Sequence, residues 1–216
     1  MQSLLLSALR RLFLHTGTGC VILLPLHVSL ERESANLKGA MKGTIWLFCF
    51  VFITRFCFAQ LHPVENESTI HFTVKNFGFN VGGSLQGIEG EIRFSPDNPG
   101  AAGFDVSVDA ASINTDNNMR DGHLKGEEYL DVQNYPRIHF VSVRVRQARK
   151  KGNYQMTGNL TIRNKTKEIS FPFTAEPSGN GYLFSGSFKI NRKDFAVGGS
   201  STISDNLTVN LKVLAR

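Results

Sequence analysis

The sequence predicts an antiparallel all-β domain that closes into an eight-stranded barrel with a short helical cap. Three observations predict it. Apolar and polar residues alternate at period two in successive runs from Ser68 to the C-terminus, the pattern of strands with one buried face. Turn chemistry separates the runs, as at Ser95 to Gly100 and Pro177 to Gly181. Glycines fall within the runs, among them Gly82, Gly83, Gly87, Gly90, Gly158 and Gly186, where bulges and bends curl a sheet towards closure.

The chain reads in order as follows. Residues 41–59 predict a signal peptide: Met41 and Lys42, an apolar block from Ile45 to Ile53, then Cys57, Phe58 and Ala59 as a small-x-small cleavage site. A membrane anchor is the weaker reading, since Arg55 ends the apolar block well short of the roughly 20 residues a span needs. Residues 1–40 read as an upstream extension and 60–216 as the folded domain. Strands are expected near 68–75, 79–86, 88–95, 102–113, 137–147, 153–163, 167–176, 181–191 and 205–215. Between the fourth and fifth, Met119 to Leu130 predicts one or two helical turns, with Asn117 or Asn118 as N-cap and Tyr135-Pro136 launching the next strand.

Lys and Arg exceed Asp and Glu by six over the whole chain, but four of that excess lie in residues 1–59. A domain at +2 has no nucleic-acid footprint. All three cysteines precede residue 60, so the domain has neither disulfide nor thiol chemistry and depends on its apolar core.

No catalytic motif stands out. The domain has no Gly-x-Ser-x-Gly elbow, phosphate-binding glycine loop or His-Glu-x-x-His, and no cofactor or metal site is expected. The best case for an enzyme is Asp121 and His123 with Asp131 nearby, a histidine oriented by a carboxylate. The competing reading has Arg120, Asp121, His123 and Asp131 fastening the helical segment over the barrel. His71 and His139 lie beside apolar strand faces and read as outward or core residues. The basic run Arg144, Arg146, Arg149, Lys150 and Lys151 is either a solvated hairpin or a site of transient membrane-surface contact. Oligomeric state leaves no mark on the sequence.

Apolar side chains are the larger signal. Eleven of the 17 phenylalanines lie beyond residue 59, several at facing positions on successive strands. Phe72, Val74, Phe79, Phe104, Val106, Phe140, Leu160, Phe171, Phe173, Phe184 and Phe188 are the expected interior lining. An eight-stranded barrel is either filled by its side chains or wide enough for one slender ligand. Small residues such as Gly158 and Gly186 among the aromatics are expected to leave room for a channel. A ligand-free interaction module remains the alternative.

The order and spacing of these residues resemble the YceI-like family of exported lipid-binding proteins. The resemblance is carried by the stretch from Phe72 to Phe79 with Val81 and Gly83, then Ser112, Ile113 and Thr115. It continues through Arg120, Asp121, His123, Leu124, Asp131, Tyr135, Pro136 and Phe140, then Tyr154, Gly158, Leu160 and Thr161. Asn191, Arg192, Asp194, Phe195, Val197, Ser204 and Asp205 complete it. Where the family usually has a histidine, this chain has Asn76. The resemblance implies a lipocalin-like barrel, without catalytic activity, whose tunnel holds a polyisoprenoid or similar long-chain amphiphile in the periplasm.

Overall fold

The computed structural model describes residues 60–199 and 202–216. The expected signal peptide and upstream extension lie outside the described residues. Nine strands form one antiparallel sheet: β1 (Gln60–Leu61), β2 (Thr69–Asn76), β3 (Phe79–Arg93), β4 (Gly103–Asn114), β5 (Arg137–Gln147), β6 (Asn153–Ile162), β7 (Lys165–Ser178), β8 (Gly181–Asn191) and β9 (Ile203–Ala215). Each of β2 to β9 pairs with its sequence neighbour, and β9 returns to pair with β2, Phe72 opposite Val209. The barrel is therefore closed, with eight strands and no free edge, and β1 is a short addition alongside β3.

One expected break is absent. The runs at 79–86 and 88–95 are a single 15-residue strand, β3. Gly87 and Gly90 take positive φ (67° and 128°), and the register with β4 shifts between Ser84 and Gln86 and again between Gln86 and Glu89. The glycines bend the strand at bulges without ending it. A true turn stands at the other end of β3, where Phe77 and Gly78 have φ of 49° and 83°. Two consecutive positive values make the two-residue type I′ turn that suits the twist of paired strands.

The helical cap, α1 (Asn118–Lys125), is shorter than the expected segment. Asn117 caps it, its side-chain oxygen accepting from the Arg120 amide at 3.0 Å. The capping hydrogen bond from Gly126 N to His123 O then closes the helix. Residues 126–134 continue as turns, with Leu130 and Val132 buried.

The alternation is apolar inside and polar outside. On β6, Tyr154, Met156, Leu160 and Ile162 are buried while Gln155 and Asn159 are exposed. This is the inverse of a lipid-embedded barrel, whose outer band is apolar. The end away from α1 is plugged by aromatic rings. Phe94, just beyond β3, meets Tyr154, Tyr182 and Phe184 at centroid distances of 5.2, 5.1 and 5.2 Å, all edge-on, a favoured ring geometry.

Tyr154 is 2% exposed. Burial pushes its phenol above the usual tyrosine range, and the neighbouring Tyr182 and Asp97 push in the same direction. The folded state thus holds a proton that the unfolded chain releases near pH 10. This contribution to stability is complete below that pH and is lost as pH rises through the folded value. Chemical denaturation between about pH 9 and 12 should show this alkaline loss, and Tyr154→Phe should make the profile flatter. A profile unchanged by the substitution would assign the alkaline loss to other groups.

Candidate functional site

Inside the barrel lies one elongated cavity of about 570 Å³, within the roughly 300–1,000 Å³ of typical small-molecule sites. All eight barrel strands contribute to its wall. The middle is apolar: Phe72, Phe140, Phe171 and Phe188 face it, with Phe171 and Phe188 stacked at 4.6 Å. Its floor is the inner edge of the aromatic plug, Phe104, Phe173 and Phe184.

Polar groups gather almost entirely at the α1 end: Asn76, Thr115, Asn117, Arg120, His123 and Arg192. Met119 lines this rim and is 78% exposed, so the cavity opens to solvent here. Ser107 is the polar exception along the wall, and its hydroxyl accepts from Arg137 Nη2 at 2.9 Å.

Two networks hold the mouth in shape. In the first, Thr115 is buried; its hydroxyl accepts from Arg120 Nε at 2.7 Å and donates to Asp121 Oδ1 at 2.5 Å. Asp121 Oδ1 also accepts from the Thr115 amide at 3.0 Å. The helix is thereby tied to the end of β4. In the second, Arg192, 5% exposed, makes an ion pair with Asp205 at 2.8 Å. It also donates to the carbonyls of Val197 at 2.8 Å and of Gly199, Ile203 and Ser204 at 3.3 Å. The segments before and after residues 200–201 are gathered on this one guanidinium. Gly198 N donates to Glu128 O at 2.7 Å, which joins the two halves of the rim.

Residues 61–215 match the family model described as a YceI-like domain. The chain belongs to the YceI-like family. A UPF0312 protein of Pseudomonas savastanoi pv. phaseolicola is 29% identical over 149 residues, covering 66% of this chain and 77% of the relative. Among solved structures, the barrel is similar to Burkholderia cenocepacia BcnA, with TM-score 0.66 and 24% identity over 70% of this chain and 98% of that one. It is also similar to Campylobacter jejuni YceI protein, with TM-score 0.57 and 28% identity over 63% and 84%. A polyisoprenoid binding domain from Saccharophagus degradans superimposes with TM-score 0.58 at 12% identity, over 72% and 97%.

Within this YceI-like barrel, the structure places every expected lining side chain on the cavity except Phe79. Phe79 is 77% exposed. It shares a strand face with Val81, which does line the wall, but it is paired with Asn76 at the hairpin end and projects past the rim. Alternation identifies a face without saying where the barrel stops. Val81, Leu85, Ile88 and Ile92 on β3 also line the wall and were not in the expected set. Their parity changes between Leu85 and Ile88 because the Gly87 bulge shifts the frame, so period-two reading loses them.

The glycines correct a second expectation. Gly83 lies opposite Phe72, and a side chain there would strike the Phe72 ring. A side chain at Gly158 would strike the Phe140 ring and come within 2.7 Å of the Val141 carbonyl. A side chain at Gly186 would meet Phe171 and Phe173 at 3.4 Å. These glycines seat the rings against the wall; the cavity lies beyond the rings.

The cap residues divide. Arg120 and Asp121 fasten the helix as described, and buried Asp131 accepts from Asn134 Nδ2 at 2.9 Å within its own turn. His123 does not fasten anything: it is exposed at the mouth, and among the described residues its ring has no hydrogen bond or ion pair. Asp121 turns its Oδ1 to Thr115, with no hydrogen bond to His123 among the described residues. His139 points outward, paired with Asp105 at 2.6 Å, and His71 is exposed. Among the described residues, no three His, Cys, Asp or Glu side chains converge to hold a metal ion. The basic run from Arg144 to Lys151 spans the β5–β6 connection, at the plugged end and away from the mouth.

Proposed function

We propose that this YceI-like protein is an exported, non-catalytic carrier that takes one long-chain amphiphile, a polyisoprenoid or a close physical equivalent, apolar end first into the barrel. The observation that carries this reading is the cavity itself: apolar along its length but for Ser107, plugged at one end, and otherwise polar at its open mouth. That gradient matches a molecule with an apolar tail and a polar head. Burying about ten methylenes at about 0.8 kcal/mol each offers about 8 kcal/mol, enough for roughly micromolar affinity before ordering costs. No catalytic group is required for such binding.

The polyisoprenoid-binding neighbour in Saccharophagus degradans supports the ligand class. The signal-like segment at 41–59 supports export to the periplasm or beyond the cell. Native mass spectrometry and solvent extraction of protein purified from its producing cells should recover about one long-chain lipid per barrel, as a cavity for one slender ligand requires. Uniformly empty protein that also fails to take up a polyprenol from detergent would overturn the reading.

A further inference from the structure

Three large apolar side chains stand out from the polar exterior at the open end of the barrel. Phe77 is 74%, Phe79 77% and Met119 78% exposed. Phe77 and Phe79 form the tip of the β2–β3 hairpin, while Met119 lies on the rim of the cavity. Asn76 and Val81, which flank the tip on its two strands, line the same cavity. The apolar surface is therefore continuous with the mouth.

Folding does not account for the phenylalanine at position 77. The first central residue of a type I′ turn needs positive φ, for which Asn is favoured and a bulky side chain is costly. Phe77 accepts that conformation and leaves its ring in water. The exposed or partly exposed charges near these side chains are of both signs, Lys75 and Arg120 with Asp116 and Asp205, so apolar area rather than net charge distinguishes the place.

We infer that Phe77, Phe79 and Met119 dock the cavity mouth onto a phospholipid bilayer, with the hairpin tip inserted at the headgroup and acyl boundary. The inference rests on the carrier reading above and adds the place where cargo enters. A long-chain lipid in free solution is scarce, so a carrier must meet it where it is dissolved, in the membrane. Insertion of two phenyl rings beside the opening removes water from the path between acyl chains and barrel wall. Burial of their apolar area drives docking.

The test uses protein purified from its producing cells, with Phe77→Asn/Phe79→Thr as the variant. Asn-Gly suits the type I′ turn and Thr suits a strand, so the melting temperature should hold or rise. Flotation with vesicles of phosphatidylethanolamine and phosphatidylglycerol should fall at least about tenfold for two phenyl rings removed. Transfer of a fluorescent polyprenol from those vesicles should slow in parallel, while loading from detergent micelles stays unchanged. Comparing variant with parent in one processed form isolates the hairpin from residues 1–59. As a second readout, Phe77→Trp should add an emission to the folded domain, which has no tryptophan of its own in residues 60–216, and the added signal should shift blue on mixing with vesicles.

Equal flotation of parent and variant, or an added Trp signal indifferent to vesicles, would overturn the inference. So would loss in the variant of a concentration-dependent dimer of a parent that does not float, since the tip would then serve a second copy. Failure of detergent loading with flotation intact would overturn the carrier reading and leave the docking surface standing.

Discussion

Replacing Val209 by Trp should empty this YceI-like barrel of lipid while leaving its melting temperature unchanged or raised. Val209 lies midway along β9, between Phe72 on β2 and Phe188 on β8 in the two registers, and its side chain faces the cavity. It is only partly buried because it borders the cavity, whose volume of about 570 Å³ exceeds that of any side chain. An indole placed there fills vacant volume and adds dispersion contacts, the reverse of creating a cavity. The same indole stands midway along the cavity, across the path of a tail of more than a few carbons lying along the barrel. Extractable lipid per protein should fall at least about tenfold, the ratio that corresponds to 1.4 kcal/mol. Calorimetry on the same samples reads stability. Undiminished lipid in a folded Val209→Trp protein would mean that the ligand lies elsewhere.

Arg192→Met should produce the largest stability loss of any single charge removal in the domain. The guanidinium is nearly inaccessible, yet it neutralises Asp205 and satisfies four backbone carbonyls from Val197, Gly199, Ile203 and Ser204. Methionine matches its length and apolar bulk, so the loss reports the stranded partners rather than a void. Asp205 is half exposed and can turn to water, so the loss comes chiefly from the stranded carbonyls at about 1–3 kcal/mol for a buried acceptor left unsatisfied, which for a domain of this size lowers the melting temperature by roughly 5 °C or more. Lysine should restore only part of this, because a point charge cannot serve several carbonyls in one plane. Since Arg192 gathers one side of the mouth, bound lipid should also exchange faster in Arg192→Met. A melting temperature within about 2 °C of the parent, less than 1 kcal/mol, would show that water replaces these contacts without loss.

Much of the architecture was legible because period-two alternation is a direct consequence of strand geometry. The runs in β2, β4, β6, β7, β8 and β9 each lie on one buried face, and their side chains reach the interior as expected. The helix starts at one of the two asparagines whose side-chain chemistry marked it, Asn117. The failures have equally specific causes. A glycine looks the same in sequence whether it ends a strand, bends it or seats a ring. Gly87 makes the bulge expected of an in-strand glycine, yet the strand expected to stop beside it runs on, and Gly158, expected to leave room, is the seat of Phe140. Phe79 was read as lining because a strand pattern continues past the barrel rim into water without any local mark.

The site was legible only in composition. An excess of phenylalanine on inward positions pointed to an apolar interior, and the fingerprint around Arg120 and Asp121 pointed to the family. His123 shows how far such proximity reaches: two residues from a carboxylate in sequence, it faces the opening while Asp121 turns to Thr115. Helical geometry points residues two apart in different directions, and hydrogen-bond demand at the end of β4 decided which partner the carboxylate takes.

By itself, then, the sequence determined an antiparallel barrel with an apolar inside, a polar outside and a short helix over one end, since hydrophobic period and turn chemistry act locally along the chain. Only the tertiary structure decided that the inside holds a cavity open at one end. That volume is the difference between the space enclosed by eight strands and the volume of the side chains directed into it, and it depends on strand closure, bulge positions and ring orientations together. No local pattern records such a difference.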